Sequence, residues 1–368
     1  MTGSTISADR ARRDAGLVRP AIVPSRRAVA VGRVSAVLRP RVLVVSCAFA
    51  AASCLLVVLA IFVGTVFMPP ERVLAALLGG GERLDRLIVV GNRAPRALVG
   101  MLAGFALGAA GGITQSLTRN ALASPDILGV TTGAGLFAVL VIVLPQAGGP
   151  LIAIGVPAAA LLGGLIATAV VVLLGWRRGV DTMRLILAGI GINAVGIALT
   201  SWLLIIADLE TAAVATRWLA GSVAGSTWTD VWPLLFCVVA AIVVAPVVSR
   251  LLGTLRYGTD ITSALGTRPA VAQAGVLLLA VALVALATAA AGPIGFVAFM
   301  APQFALRIAR TEGPPLFLAG LVGSVVVLVA DFATRFLPVE LPVGVITSVI
   351  GAPALLFLLI ARVRRADA

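Results

Sequence analysis

The sequence predicts an all-α polytopic membrane protein with about ten transmembrane helices and both termini in the cytosol. Three observations carry that prediction. Apolar stretches long enough to cross a bilayer recur from Arg41 to the end of the chain, separated by short arginine-bearing loops. A hydrocarbon core of roughly 30 Å needs about 20 mostly apolar residues as helix. Hydrophobic residues make up 60% of the 368 and charged residues only 12%, too little polar surface to solvate a globule of that size. A transmembrane β-barrel would show short segments alternating apolar and polar residues, and the sequence has none.

The first 41 residues carry nine arginines against Asp9 and Asp14, with scattered Ser, Pro and Gly. Such a stretch cannot bury a core and reads as a disordered, basic cytosolic tail that fixes the first span. It is too long for a signal-peptide n-region, and the apolar run after it is too long for an h-region. Residues 42–368 then form a single transmembrane domain. Its spans are expected at about 42–66, 96–116, 126–144, 151–175, 185–207, 231–249, 270–290, 294–308, 315–334 and 342–361. Between the first two, Glu71–Leu78 has the pattern of a short amphipathic helix at the surface.

Orientation follows from arginines counted on alternate sides. With the N-terminus inside, the inner set is the nine of the tail with Arg119, Arg177, Arg178, Arg184, Arg250, Arg256, Arg268, Arg307, Arg310, Arg362, Arg364 and Arg365, which makes 21. The outer set is Arg72, Arg83, Arg86, Arg93, Arg96, Arg217 and Arg335, which makes seven. An even number of crossings satisfies this bias.

Composition also excludes chemistry. The net charge of +13 comes entirely from arginine, the chain having no lysine and no histidine. It reflects orientation rather than nucleic-acid binding. Without lysine there is no phosphate-binding P-loop. Without histidine there is no serine–histidine triad and no common zinc or haem ligand set. Cys47, Cys54 and Cys237 sit inside apolar segments and read as small hydrophobes. No catalytic residues, metal site or cofactor are expected, and any nucleotide that drives the protein is hydrolysed by another polypeptide.

Several stretches carry more information. The spacing Gly100-x-x-x-Gly104-x-x-x-Gly108 puts small residues on one helix face, the same is expected of Gly189-Ile190-Gly191, and close helix packing is the first reading. Arg93-Ala94-Pro95-Arg96 stands at the outer mouth of the second span, and Arg335 at the outer end of the ninth. Such guanidinium groups can dock carboxylates of a soluble partner or simply snorkel at the interface. Asp331 lies one turn before Arg335, which makes that arginine its ready partner. Gln115–Gly129 is a polar interruption in which Ser124 and Asp126 can cap the third span, with Pro125 at its first position. In the longest inner loop, about 251–269, Thr259 or Asp260 can cap a short helix that Gly266 ends. Pro293, Pro302 and Pro342 fall at or inside the eighth and tenth spans, where broken backbone must face protein or a cavity.

Taken together, these stretches resemble the FecCD-type permeases, the membrane subunits of ABC importers for ferric siderophores, haem and vitamin B12. Arg93–Arg96 is similar to the family's R-x-P-R, and Gln115–Gly129 to its polar turn, with Ala121 in place of proline after Asn120. Trp218–Ser222, Gly258–Gly266, Ala291–Val297, Asp331–Arg335 and Glu340–Val345 resemble further motifs in order and spacing. Pro302-Gln303 departs from the common P-H.

The resemblance implies the type II permease fold of ABC importers and a subunit of the bacterial plasma membrane, the cell inner membrane, that moves a ferric siderophore. Vitamin B12 or haem is the alternative cargo, and an ion-coupled secondary transporter the remote alternative. It implies a second permease copy or paralogue and cytosolic ATP-binding subunits seated on Gly258, Asp260, Ala264, Leu265 and Gly266. It also implies an extracytoplasmic substrate-binding protein docked on Arg93, Arg96 and Arg335. Gln115, Asn120, Pro293, Pro302 and Gln303 are expected along the translocation path or its gate.

Overall fold

The computed structural model describes residues 27–31, 34–64, 66–144, 153–175, 182–311, 313–337 and 339–366. Residues 1–26 of the tail, with Arg33, Arg177 and Arg178 of the orientation count, lie outside the described residues. Within the tail, β1 (Arg27–Val31) and β2 (Val34–Leu38) pair antiparallel with Arg27 opposite Leu38, a local element not anticipated from composition.

The rest is helical. In chain order the helices are α1 (Pro40–Phe62), α2 (Pro70–Leu77), α3 (Arg83–Thr118), α4 (Val130–Val143), α5 (Gly155–Gly175), α6 (Thr182–Ile206) and α7 (Leu209–Leu219). They continue as α8 (Trp228–Leu255), α9 (Thr259–Ala264), α10 (Pro269–Ala291), α11 (Val297–Ala309), α12 (Leu316–Thr334) and α13 (Val343–Ala366). Seven of them (α1, α3, α5, α6, α8, α10 and α12) are long and apolar enough to cross a membrane, and α4, α11 and the first part of α13 are shorter apolar helices.

Two elements depart from expectation. The second span begins thirteen residues before the expected 96, at Arg83, and passes through a π-helical stretch, Leu87–Arg93, before regular helix resumes at Ala94. The Ala94 amide there donates to Val89 O, five residues back. Arg93 and Arg96 therefore stand inside a continuous helix rather than at its mouth. Helix α7 was also missed. Its N-cap is Asp208, whose side chain accepts from the Thr211 amide at 3.0 Å; that hydrogen bond holds the Asp208 carboxyl below the usual range.

Helix α3 forms the centre: 89% of its apolar window is buried, against 17% for α1 and α6. Small residues make this possible. A Cβ on Gly104 would stand 2.4 Å from Gly323 O, and one on Gly108 2.2 Å from Ala319 O, so α3 and α12 meet backbone to backbone. Close packing is thus the outcome for the Gly100–Gly108 spacing. Of the second pair, Gly189 packs against Ile127 O while Gly191 faces open space.

The expected cap of the third span is corrected. Ser124 makes no cap bond; residues Pro125–Leu128 form a separate 3-10 turn and α4 starts after Gly129, whose φ is 73°. Asp126 instead gathers its own donors, Ser124 Oγ at 3.2 Å and Thr131 Oγ1 at 3.0 Å. Burial raises the Asp126 carboxyl above the usual range, and these two hydrogen bonds offset part of that rise.

Candidate functional site

At one end of the bundle the arginines converge on the end of α1. The last four carbonyls of any helix lack partners within it. Here Arg93 Nη1 donates to Ile61 O and Phe62 O, both at 3.1 Å, and its Nη2 to Val66 O. Arg335 Nη1 reaches Ala60 O and Val63 O. Two cations at a helix C-terminus also complement its dipole. Gly64 lets this happen, since a Cβ there would lie 2.6 Å from the Arg93 guanidinium.

Asp331, 1% exposed, is the shared counter-charge. Arg335 donates to its Oδ2 from Nη2 at 2.6 Å and from Nε at 3.2 Å, which is the i,i+4 pair expected from sequence. Arg96 Nε donates to Oδ1 at 2.8 Å, and Arg96 Nη1 lies 3.8 Å from Glu340 on the loop before α13. Arg93 and Arg335 are thus folded inward, and their exposed outward presentation does not occur in this structure. Arg93, Arg96 and Arg335 still line, with Asn92 and Gly64, a small cavity of about 180 Å³.

Beside it opens a larger cavity of about 810 Å³, with Arg96 in the walls of both. Its lining includes Arg217 and Trp218 of α7, Ser222, Asp230 of α8, Ala291, Gly292 and the loop at Glu340. Three non-helical segments join where its wall forms. Ser222 N donates to Ala291 O at 2.8 Å and Gly344 N to Gly221 O at 3.0 Å. A Cβ on Gly221 would be 2.1 Å from Pro293 O, and one on Gly344 2.1 Å from Ala220 O. Gly221 and Gly292 also hold φ of 72° and 67°, a region that side chains disfavour. The Trp218–Ser222, Ala291–Val297 and Glu340–Val345 motifs are therefore one backbone junction. This irregular backbone is buried in protein and borders a cavity, the setting in which a membrane protein tolerates it.

The expected path residues divide. Gln115 Nε2 donates to Phe299 O at 3.0 Å, and Gln303 Nε2 to Gln115 Oε1 at 2.6 Å, tying α3 to α11 beside Pro302. Pro302 leaves Ala298 O without its helical donor, and the backbone of Gly111 packs against that carbonyl. Pro293 belongs to the junction. Asn120 stands apart on an exposed turn, where its Oδ1 accepts from Leu122 N at 2.9 Å. None of these five lines the 810 Å³ cavity.

At the opposite end, α9 follows α8 after Gly258, whose φ of 99° makes the turn. The N-cap position belongs to Gly258 rather than to Thr259 or Asp260, and the buried Thr262 hydroxyl donates back to Gly258 O and Thr254 O. Gly266, φ 79°, ends the helix as expected. Asp260 and Ala264 are exposed, as are Tyr257 in the turn before the helix and Ile261 and Leu265 four residues apart. Nearby, Arg119 Nη2 donates to Leu255 O at 2.8 Å, joining the end of α3 to the end of α8.

A model of the FecCD transport family matches residues 52–361. The chain belongs to that family. Among curated relatives, this FecCD chain is 39% identical to the ferric enterobactin transport system permease protein FepG of Escherichia coli K12, over 82% of this chain and 91% of that one. It is 35% identical to the siderophore transport system permease protein YfhA of Bacillus subtilis 168, over 80% and 88%. Among solved structures, a metal-chelate type ABC transporter in an inward-facing conformation matches with a TM-score of 0.73 at 25% identity, covering 86% of this FecCD chain and 99% of that one.

Proposed function

We propose that this FecCD chain is the permease subunit of an ABC importer for ferric siderophores, working with separate cytosolic ATPases and an extracytoplasmic binding protein. The observation that carries the reading is the glycine-bound junction of three family motifs in the wall of the 810 Å³ cavity. The naming of curated relatives for siderophore and ferric enterobactin transport supports the cargo.

Ten crossings with both termini in the cytosol, in the type II permease arrangement, agree with seven long and three shorter apolar helices and with the arginine bias. In this reading the cavity opens to the outside, and ATP-driven closure of the ATPases pushes on α9 so that the bundle tilts. The exposed Ile261 and Leu265, with Gly258 and Gly266 setting the turns and Asp260 and Ala264 at the surface, suit a seat for such a subunit. A second permease copy or paralogue would complete the path. Gln115, Pro302 and Gln303 then act as a hinge between α3 and α11, and Pro293 as part of the gate.

For the binding protein, a carboxylate entering the 180 Å³ cavity would meet Arg96 first, whose side chain is 13% exposed against 4% for that of Arg335, with Arg93 buried as well. Uptake of radiolabelled ferric siderophore by a deletion strain tests this. Complementation with Arg96→Glu is expected to lose most uptake while membrane insertion stays normal. Full uptake by that variant removes the docking assignment.

A further inference from the structure

We propose that Arg217 is a selectivity residue of the 810 Å³ cavity, a cation that favours iron chelates of net negative charge. The inference rests on the importer reading and names the charge class of its cargo.

Four charged side chains line the cavity: Arg96, Arg217, Asp230 and Glu340. Three of them are occupied. Arg96 is held by Asp331 at 2.8 Å and faces Glu340 at 3.8 Å. Asp230 Oδ2 accepts from Thr227 N and Thr227 Oγ1, each at 2.8 Å, in the capping box of α8. Arg217 has no hydrogen bond or ion pair among the described residues. Nor is it spent on the end of its own helix, because Thr216 O and Trp218 O accept from the amides of Ala220 and Gly221.

The remaining walls near it are small or apolar, with Ser222 and Ser226 as hydroxyls. A volume of about 810 Å³ lies within the range of about 300–1,000 Å³ that encloses drug-sized ligands. Arg217 is an exposed guanidinium on the wall of this cavity, free to approach an anion that enters it. A single such charge holds a chelate without trapping it, as passage through a membrane requires. Catecholate donors give iron(III) a strongly anionic complex, whereas three hydroxamates give a neutral one, so charge separates the two classes.

The test is initial uptake of radiolabelled iron by a deletion strain complemented with wild type, Arg217→Gln or Arg217→Lys. The probes are the trianionic ferric tris-catecholate and the neutral ferric tris-hydroxamate. Loss of a hydrogen bond to a charged group should slow uptake of the anionic probe about tenfold in Arg217→Gln. Arg217→Lys should keep most of the rate, and the neutral probe should not distinguish the variants. Unchanged anionic uptake in Arg217→Gln overturns the inference. Equal loss on both probes, or loss in Arg217→Lys as well, shows a structural role and also overturns it. Wild type that carries only the neutral probe overturns the charge class but leaves the importer standing; wild type that carries neither overturns the importer and this inference with it.

Discussion

A guanidinium can finish a helix as well as pair with a carboxylate, and Arg93 and Arg335 do the first for α1. Between them they donate to the carbonyls of Ala60 to Val63, so the C-terminal end of a barely buried helix is fixed by two side chains. Asp331 is what lets three arginines crowd there. Asp331→Ala leaves buried guanidinium charge uncompensated, and removing one partner of a buried pair costs about 3–5 kcal/mol. A thermal unfolding scan of the purified variant should therefore show clear destabilisation, and Asp331→Asn a smaller effect. A wild-type melting profile for Asp331→Ala would mean that the cluster is not a stabilising unit. The Asp331–Arg335 pair was legible because its partners are one helical turn apart. The Arg93 role was not, because its acceptors lie 31 and 32 residues earlier, on another helix.

At the scale of elements, α9 illustrates what punctuation alone can specify. Gly258 and Gly266 mark its two ends, and both hold positive φ. Its outward side is apolar, with Leu265 61% exposed at the solvent end of the bundle. In the proposed assembly Leu265→Asp should abolish co-purification of the ATPase subunits while leaving the permease in the membrane; retained co-purification would free α9 from that role. Helix α7 had equally good signals, an Asp208 cap, Glu210 in the first turn and Arg217 in the last. They do not by themselves separate this eleven-residue helix from the loop that hydropathy places between two spans. The helix turns Arg217 of the outer set and Trp218 of the Trp218–Ser222 motif toward one cavity, a meeting that spacing along the chain does not show.

For the whole molecule, the arginine cluster around Arg96 lies inside α3, and Arg119 stands just past that helix's last residue, beside the end of α8. With Cys47, Cys54 and Cys237 replaced by serine, an impermeant maleimide should label Glu340→Cys in intact cells. Ser263→Cys should react only after the membrane is opened. Labelling of both from one side would contradict the importer topology.

The sequence by itself determined the class of protein, the approximate spans and the ion pair along α12, because each depends on composition or on contacts within one turn. Its glycine spacing also foretold close helix packing. Only the tertiary structure decided that three distant motifs make one backbone junction and that Arg93 and Arg335 turn inward on α1. The same holds for Arg217, left without a partner in a cavity. These outcomes depend on which unsatisfied carbonyls and charges are brought within about 3 Å of one another. Linear spacing does not encode that once the partners lie on different helices.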